Sequence, residues 1–514
     1  EGEKYREMLE QKVSALHIEA HVQFINSFLP LQKLLDYLQL TDIYLFTSRD
    51  PAQAVSGTFS YAISCGCPVI STPIPHACEI LKDDAGVIID FDSPEQLSTA
   101  AINLLEDEQL RKKISSNGLH KMASTAWENA AIAHALLFEK IVNTGASLLY
   151  NIPEINLDQV KKMTTGLGII QFSIMNQPDI DSGYTLDDNA RAMIALCQHF
   201  KLTNEKTNLD YITIYLHFIQ ICLRKEGDFA NYVDANQNFT VQNDTSDLAD
   251  STGRAIWALG YLLSISPLLP EELTDQATEL FQKALVNVNK IHSTRAMAFI
   301  IKGLYYRQTV NKSIRVKSLI KQLANRLVQM YRHEADAEWR WFESYLTYAN
   351  SLIPESLLLA WLSTGEPVYK EIARSSFDFL LTKIFTDDSI RVISNKHWLH
   401  KEVVTHTSVK GGEQPIDVAY TLLALGTFYD VYKEAAYRRK MDIAFNWFLG
   451  NNHLHQIIYN PCTGGCYDGL EENYVNLNQG AESTISYLMA RLRLTEINQE
   501  KKDQLSAPIF INSA

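Results

Sequence analysis

Acidic residues recur at the starts of predicted amphipathic helices beyond residue 157. They are Asp187, Asp188, Asp250, Glu343, Glu413, Asp417 and Glu482. Each lies in a polar cluster that runs into an apolar helix. Hydrolysis of a glycosidic bond needs two carboxyl groups on opposite sides of the bond, one acting as acid and one as base or nucleophile. These residues are therefore candidates for acid–base chemistry.

The aspartates of the first two clusters also have structural interpretations. Asp187 and Asp188 are adjacent, so on a helix they diverge by about 100° and one of them is expected to cap the helix. Asp187 with Arg191, and Asp250 with Arg254, have the i,i+4 spacing of intrahelical ion pairs.

Two glutamates are the stronger candidates for the general acid. Glu413 and Glu482 each lie in a polar, glycine-containing stretch that leads into an apolar helix. A glutamate at such a position can instead cap the helix and complement its dipole. We expect one of these two to be the general acid, with Asp188 or Asp250 as the base.

A wider set of residues is predicted to contact the substrate. The set is Tyr184, Asp187, Arg191, Arg254, Trp339, Trp341, Glu343, His406, Gln414, Asp417, Asn478 and Gln479. Residues 338–343 alternate charged and aromatic side chains, and this alternation favours a stacking platform over core packing. His406, in a Thr-His-Thr run, could polarise a hydroxyl group, or could simply be a solvated loop residue.

Repeated helices must position these residues. The sequence at 187–196 is echoed at 250–259 and more weakly at 292–300. With similar polar starts near 343, 413 and 482, six starts recur at intervals of roughly 45–70 residues, the length of a two-helix hairpin with loops. Six hairpins predict an (α/α)6 toroid, in which six parallel inner helices would bring their first turns into one cleft.

The first 142 residues alternate strands and helices. Strands are predicted at Val22–Asn26, Asp42–Phe46, Pro68–Ser71 and Gly86–Asp90, and helices at Leu31–Leu40, Val55–Cys65 and Pro94–Glu106. This alternation indicates a parallel α/β sheet with fewer strands than a complete Rossmann-like domain. We therefore predict a multidomain chain: a partial α/β domain at 1–142, a linker at 143–158, an all-α toroid at 159–496 and a tail at 497–514.

Composition limits the partners and the compartment. The net charge of −14 argues against nucleic acid or an anionic membrane as partner, and favours a neutral saccharide. Seven scattered cysteines indicate reduced thiols and a cytoplasmic location. We expect no cofactor and no metal, because Cys462 and Cys466 lack a second ligand pair. The oligomeric state is left open.

The first domain resembles the C-terminal, donor-binding half of family 4 glycosyltransferases of the GT-B fold. The resemblance is carried by 42–47, by Val55–Pro73 with its Cys-Gly-Cys-Pro-Val-Ile-Ser-Thr run, and by 76–97. In that family this half binds a sugar nucleotide, the partner implied for full-length relatives. The family's two signature glutamates fall on Gln53 and Tyr61.

The resemblance also implies how the first domain could act. Ser56, Gly57 and Thr58 could form a vestigial phosphate cradle, or simply start a helix. The family's acceptor-binding domain has no counterpart here, so we expect this fragment not to transfer sugar alone.

The second domain resembles helical domains appended to such transferases, and more broadly six-hairpin carbohydrate enzymes. Residues 182–191, 412–417, 447–452 and 463–484 carry the likeness. The leading interpretation is a toroid that binds and cleaves an oligosaccharide. The alternatives are a non-catalytic saccharide-binding or scaffolding module, and a sugar epimerase or isomerase.

Overall fold

The computed structural model of the protein describes residues 2–142, 148–402 and 410–506. The chain forms two compact units, Glu1–Ala126 and Trp127–Ala514. The predicted domain and linker boundaries stay predictions. The helix at Trp127–Val142, which the sequence assigned to the first domain, lies in the second unit.

The first unit is a small α/β domain. Its helices are α1 Gly2–Ala15, α2 Leu31–Gln39, α3 Gly57–Ser64, α4 Pro75–Ile80, α5 Pro94–Glu106 and α6 Glu108–Ala123. Strands β1 Tyr44–Phe46, β2 Val69–Ser71 and β3 Val87–Ile88 form a parallel sheet in the order β1-β2-β3. The central strand β2 is fully buried between the helices, as expected of a parallel sheet.

One predicted strand of this unit is wrong. Residues 22–26 are not a strand, and Val22, Phe24 and Ile25 are more than a third exposed. The apolar run suggested a buried strand, but the described part of the unit supplies no neighbouring strand for it. The other three strands and the three helices lie at the predicted positions, with shifts of one to two residues at some ends.

The second unit is mainly helical. Its helices are α7 Trp127–Val142, α8 Asp158–Met163, α9 Leu186–Thr203, α10 Asn208–Cys222, α11 Gln242–Thr245, α12 Ala249–Ser264, α13 Glu271–Ala284, α14 Thr294–Val310, α15 Ile314–Glu334, α16 Leu352–Thr364, α17 Pro367–Ile384, α18 Pro415–Tyr432, α19 Ala435–Phe448 and α20 Ala481–Ser506. Its two-residue strands are β4 Ser173–Ile174, β5 Gln177–Pro178, β6 Tyr184–Thr185, β7 Tyr232–Val233, β8 Tyr345–Leu346, β9 Leu399–His400, β10 Tyr459–Asn460, β11 Gly465–Cys466, β12 Gly469–Leu470 and β13 Val475–Asn476. Consecutive strands pair in antiparallel fashion, two by two.

Six helices close into a ring. Helices α9, α12, α14, α16, α18 and α20 each pack against the next, and α20 returns to α9. Helices α10, α13, α15, α17 and α19 pack behind them. The inner helices are apolar on nearly every side, which suits elements enclosed on all faces. The fold is the predicted (α/α)6 toroid.

The ring is tightest between α12 and α14. A Cβ atom on Gly260 would lie 2.1 Å from the carbonyl oxygen of Gly303, and one on Gly303 would lie 2.3 Å from that of Ile256. Glycine at these two positions lets the backbones of α12 and α14 touch.

Five inner helices begin within two residues of the predicted starts, at Leu186, Ala249, Thr294, Pro415 and Ala481. The fourth differs: α16 begins at Leu352, and Glu343 lies in the loop before it. No helix within the described ranges is long and apolar enough to cross a membrane.

Candidate active site

The first turns of the inner helices meet at one end of the ring. Arg254 on α12 contacts Asp187 on α9 at 2.9 Å, and Arg191 on α9 contacts Glu482 on α20 at 2.9 Å. Ser293, before α14, donates to Asp250 on α12 at 2.7 Å. The expected convergence of remote polar clusters is therefore present.

A cavity of about 390 Å³ opens at this end, and we call it the N-end cavity. The predicted residues that line it are Asp187, Asp188, Arg191, Glu413, Gln414 and Glu482. Other lining groups come from the loops above the ring, including Asn231, Asp468 and Glu471. Within the described residues, no group of His, Cys, Asp and Glu is arranged to hold a metal ion.

Arg191 bridges two carboxylates of the N-end cavity. Its guanidinium lies 2.8 Å from Asp188 and 2.9 Å from Glu482, and its Nε donates to the Tyr420 hydroxyl at 3.3 Å. The Arg191 side chain is 2% exposed, whereas that of Glu482 is 41% exposed. Glu482 thus presents an oriented carboxylate to the cavity, held by a buried cation.

Asp188 is the more buried of the two carboxylates that Arg191 contacts. Burial, together with the charges of Glu482 and Asp187, raises the pKa of Asp188 to about 6, although Arg191 opposes the shift. Thr185 caps α9 by accepting from the Asp188 amide and donates its hydroxyl to the Asp188 carboxylate at 2.6 Å. The prediction that an aspartate caps this helix is wrong, because Thr185 performs that role.

Asp468 is the residue that sequence reasoning missed. Burial, followed by the charges of Glu482 and Asp188, raises its pKa to about 7, against bonds from the Gly480 amide and the Ser483 hydroxyl. A Cβ atom on Gly480 would lie 3.0 Å from the Asp468 carboxylate, so glycine allows the close approach. Asp468 lies within the distinctive 463–484 motif, which was the available signal.

The backbone of Glu413 pairs with that of Leu470 at the cavity. Its amide donates to the Leu470 carbonyl at 3.1 Å and its carbonyl accepts from the Leu470 amide at 2.9 Å, next to Asp468. Its carboxylate accepts from the Trp447 indole at 3.1 Å and lies 3.3 Å from His453 Nδ1. Since the side chain is turned to these partners, Glu413 does not cap α18, so the alternative interpretation of this residue does not hold.

His453 completes this buried arrangement. Its Nε2 lies 3.0 Å from the carbonyl oxygen of Glu471 and 3.2 Å from that of Glu472, so it must carry a hydrogen. Nδ1 faces the Glu413 carboxylate at 3.3 Å. The pair anchors the hairpin that carries Asp468.

Asp187 pairs across the ring. Besides Arg254, it contacts Asn231, whose Oδ1 accepts from the Asp187 amide at 3.1 Å. The predicted intrahelical pair of Asp187 with Arg191 is wrong, since the ring brings Arg254 of α12 closer and leaves Arg191 to Asp188. Likewise Asp250 does not pair with Arg254; it accepts from Ser293 and from the Tyr348 hydroxyl.

Several predicted residues do not line the N-end cavity. Asp250 and Arg254 are held in the contacts just described. Glu343 accepts from Thr294 at 2.8 Å and pairs with Arg295 at 3.1 Å, so it ties α14 to the following loop. Asp250, Arg254 and Glu343 thus bond to other parts of the toroid, and they do not form the wall of the N-end cavity.

The predicted stacking platform is not formed. Trp339 and Trp341 are 4% and 0% exposed, and the Trp339 indole donates to the Glu343 carbonyl. Tyr184 is also buried, with its hydroxyl bonded to Thr165 at 3.0 Å. The alternation of 338–343 reflects a turn-rich segment that buries its tryptophans in the core.

Three further predicted contacts have other placements, and a fourth residue is not described. Asp417 is buried and accepts from the Ala349 amide at 2.6 Å; burial and the Glu482 charge raise its pKa to about 7. Asn478 accepts from the Met175 amide, and Gln479 accepts from Thr463, so both brace loops. His406 lies outside the described residues.

In the first unit, the Ser56–Thr58 segment starts α3. The Ser56 hydroxyl accepts from the Phe59 amide at 3.3 Å and so caps the helix, while no atom lies within 4 Å of a Cβ built on Gly57. The segment therefore starts a helix, as one of the two interpretations expected. A phosphate contact by Ser56, Gly57 and Thr58 stays a prediction.

The N-end cavity is strongly acidic. Among its described lining residues are six carboxyl groups, one guanidinium and no histidine. The field inside it disfavours anionic ligands such as phosphorylated or uronic sugars. An uncharged ligand that offers hydroxyl groups suits the carboxylates and amides of the wall.

The first unit has glycosyltransferase relatives. Residues 2–121 match the family model described as glycosyl transferases group 1. The chain is 31% identical over 133 residues to the amylovoran biosynthesis glycosyltransferase AmsD of Erwinia amylovora, covering 26% of this chain and 33% of that protein. It is 24% identical over 143 residues to the uncharacterized glycosyltransferase MJ1069 of Methanocaldococcus jannaschii, covering 27% and 36%. The chain spans about a third of the length of these relatives.

The toroid has structural relatives among sugar-converting enzymes. Cellobiose 2-epimerase from Bacillus thermoamylovorans superposes with a TM-score of 0.51 and 11% identity, over 72% of this chain and all of that one. At this identity the likeness concerns the fold. The chain joins a glycosyltransferase-like α/β domain to an (α/α)6 toroid of the type found in carbohydrate enzymes.

Proposed function

We propose that the toroid hydrolyses glycosidic bonds of a neutral oligosaccharide in the N-end cavity. In this proposal Asp468 is the general acid and Glu482 the general base. The observation that carries it is that the two carboxyl groups have different environments. Asp468 has a pKa raised to about 7, and Glu482 is an accessible carboxylate beside a buried guanidinium. Two nearby carboxyl groups in different environments suit opposite roles.

The chemistry follows from these protonation states. Protonated Asp468 donates its proton to the glycosidic oxygen as the bond from that oxygen to the anomeric carbon breaks. Ionised Glu482 takes a proton from a water molecule whose oxygen bonds to the anomeric carbon. One water is consumed, and the proton gained by Glu482 returns Asp468 to its acid form through solvent.

Neighbouring residues hold the two groups in place. Arg191 orients the Glu482 carboxylate, and Asp188 holds Arg191 from the other side. Glu413 fixes the hairpin that carries Asp468, and Gln414 offers an amide to the sugar hydroxyls. Asp188, one of the two predicted candidates for the base, and Glu413, one of the two predicted candidates for the acid, are positioning residues in this proposal. Glu482, the other predicted candidate for the acid, takes the role of the base.

The wall of the cavity favours hydrolysis over epimerisation. An epimerase reaction by proton transfer at carbon would use histidines as acid and base, and the described lining residues include none. All seven cysteines are free, which supports a reducing compartment and hence the cytoplasm as the place of action.

A substrate screen with three variants tests the proposal. The full chain is incubated with neutral α- and β-linked gluco-, manno- and galacto-oligosaccharides, and release of reducing ends is measured. Asp468→Asn and Glu482→Gln should each lower kcat about 10²–10⁴-fold. Glu471→Gln, a matched change at the rim where Glu471 pairs with Lys396, should change kcat only a few-fold.

Two outcomes would contradict the proposal. If Asp468→Asn and Glu482→Gln retain wild-type turnover, neither is the acid or base. If saccharides bind the wild-type chain without conversion, the toroid is a binding module.

A further inference from the structure

One aromatic ring in the wall of the N-end cavity has no part in the proposed acid–base chemistry. Phe172 lines this cavity and is 53% exposed. Glycines aside, it is the one residue among the described lining residues whose side chain has no polar atom. The cavity therefore offers a ligand one wholly apolar surface among carboxylates, amides and hydroxyls.

The backbone that carries Phe172 is held on both sides. Its amide donates to the Ser182 hydroxyl at 3.1 Å, and its carbonyl accepts from the Asp179 amide at 3.0 Å. The preceding amide, that of Gln171, donates to the Gly183 carbonyl at 2.9 Å. Because these bonds hold the segment, the ring is presented from an ordered backbone, which lowers the ordering cost of binding.

Phe172 lies next to the proposed acid and base. The carbonyl of the residue before it accepts from the Ala481 amide at 3.1 Å, and Ala481 directly precedes Glu482 on α20. The Gly480 amide, one residue earlier, donates to Asp468 at 2.9 Å. The segment that carries Phe172 is thus bonded to the start of α20, where both carboxyl groups are held.

A pyranose ring has two kinds of surface. Its hydroxyls lie mainly at the edge, where carboxylates and amides can bond to them, and its C–H bonds lie on the faces. The negative face of an aromatic ring attracts C–H hydrogens and packs against flat apolar surface. An open-chain polyol has similar hydroxyls without a fixed C–H face. A phenyl ring in a polar cavity therefore favours the ring form of a sugar.

We propose that Phe172 is a specificity-determining residue of the N-end cavity, which stacks on the C–H face of a neutral pyranose and selects ring-form sugars over open-chain polyols. The inference rests on the proposed function only for the saccharide as ligand, and it does not require that a bond be broken. The hydroxyls of the stacked sugar are left to polar groups of the wall, such as Glu482 and Gln414.

Isothermal titration of the full chain with glucose, mannose, galactose, maltose and cellobiose tests the proposal, with sorbitol and mannitol as open-chain comparisons. We expect at least one of the five sugars to bind, and to bind about tenfold more tightly than either polyol. Phe172→Leu keeps an apolar side chain but removes the ring, and should weaken that binding about tenfold. Phe172→Tyr keeps the ring and should bind within about threefold of wild type.

Phe239→Leu is the matched control. Phe239 is 51% exposed and is not among the described residues that line the N-end cavity, so its replacement should leave the affinity within about twofold of wild type. In saturation-transfer NMR with irradiation of the aromatic protons, transfer to the sugar C–H protons should fall in Phe172→Leu and persist in Phe239→Leu. Thermal unfolding of each variant checks that the toroid is intact.

Binding and cleavage are read separately. The titrations are repeated in the Asp468→Asn background, where the proposed cleavage is blocked, and should show the same dependence on Phe172. Sugars that bind through Phe172 but are never cleaved would contradict the proposed hydrolysis and support this inference. Wild-type affinity in Phe172→Leu, equal binding of the open-chain polyols, or no binding by any of the five sugars would overturn it.

Discussion

The guanidinium of Arg191 lies 2.9 Å from the carboxylate of Glu482 and joins the first inner helix of the ring to the last. The same group holds Asp188 at 2.8 Å. One buried cation thus links α9 to α20 and holds two carboxylates of the acidic cavity. Burial alone would lower the pKa of Arg191, but the charges of Glu482 and Asp188 raise it overall.

Removal of Arg191 should destabilise the toroid strongly. Arg191→Met leaves buried Asp188 without its cation, a change that typically costs about 3–5 kcal/mol. The measurement is the free energy of unfolding of the toroid in urea. Arg224→Met removes a partly exposed pair with Asp228 and should cost less than about 1 kcal/mol. Equal effects of the two changes would contradict the assignment.

Activity should fall as the pH rises through about 7. The proposed reaction needs Asp468 in its protonated form, and the pKa of that group is raised to about 7. Above this pH, kcat/KM should drop about tenfold per pH unit as the acid form is lost. A rate profile that is flat or rising between pH 6 and pH 9 would show that Asp468 is not the acid.

Asp417 should make the toroid less stable as the pH rises from about 4 to about 7. Its folded pKa is about 7 against an ordinary value of 3.8, so in this window the folded state holds more protons than the unfolded state. Asp417→Asn keeps an acceptor for the Ala349 amide. It should raise the free energy of unfolding at pH 8 by roughly 2–4 kcal/mol and change it little at pH 4.

An exposed aspartate provides the comparison. Asp275→Asn, at an exposed position on the outer helix α13, is the matched substitution. Urea unfolding of both variants at pH 4, 6 and 8 measures the difference. A loss of stability at pH 8 in Asp417→Asn would mean that the buried carboxylate is ionised and favourably held.

The buried pair of Lys302 and Glu355 should behave as a unit. Their side chains are 2% and 3% exposed and lie 2.6 Å apart. Lys302→Met alone should destabilise by about 3–5 kcal/mol, because it leaves a buried carboxylate unpaired. The double change Lys302→Met with Glu355→Leu should recover most of that loss in a double-mutant cycle. Additive losses would show that the residues are not coupled.

The toroid could be predicted because its determinants are periodic. Polar caps followed by apolar helices recur along the chain, and a ring of parallel helices is the arrangement that buries six such faces together. The strand predicted at 22–26 failed because an apolar run does not show whether a neighbouring strand exists to pair with it.

The cavity could be predicted only in part. Asp188, Glu413 and Glu482 were found because they lie beside helix starts, whose position the fold dictates. Asp468 lies in a hairpin above the ring. Its position depends on the backbone bridge between Leu470 and Glu413 and on the close approach of Gly480, and neither can be predicted from the sequence. Trp339 and Trp341 were misassigned because the sequence of an irregular segment does not show which of its side chains are buried.

The central claim is that the N-end cavity breaks glycosidic bonds with water, and isotope incorporation tests it most directly. An oligosaccharide cleaved in the screen is incubated in H2¹⁸O with the wild-type chain and with Asp468→Asn, and products are weighed by mass spectrometry at early times. We predict one ¹⁸O atom per new reducing end with the wild type, and almost no cleavage with the variant. Conversion of the sugar without chain shortening or ¹⁸O uptake, or equal cleavage by the variant, would contradict the account.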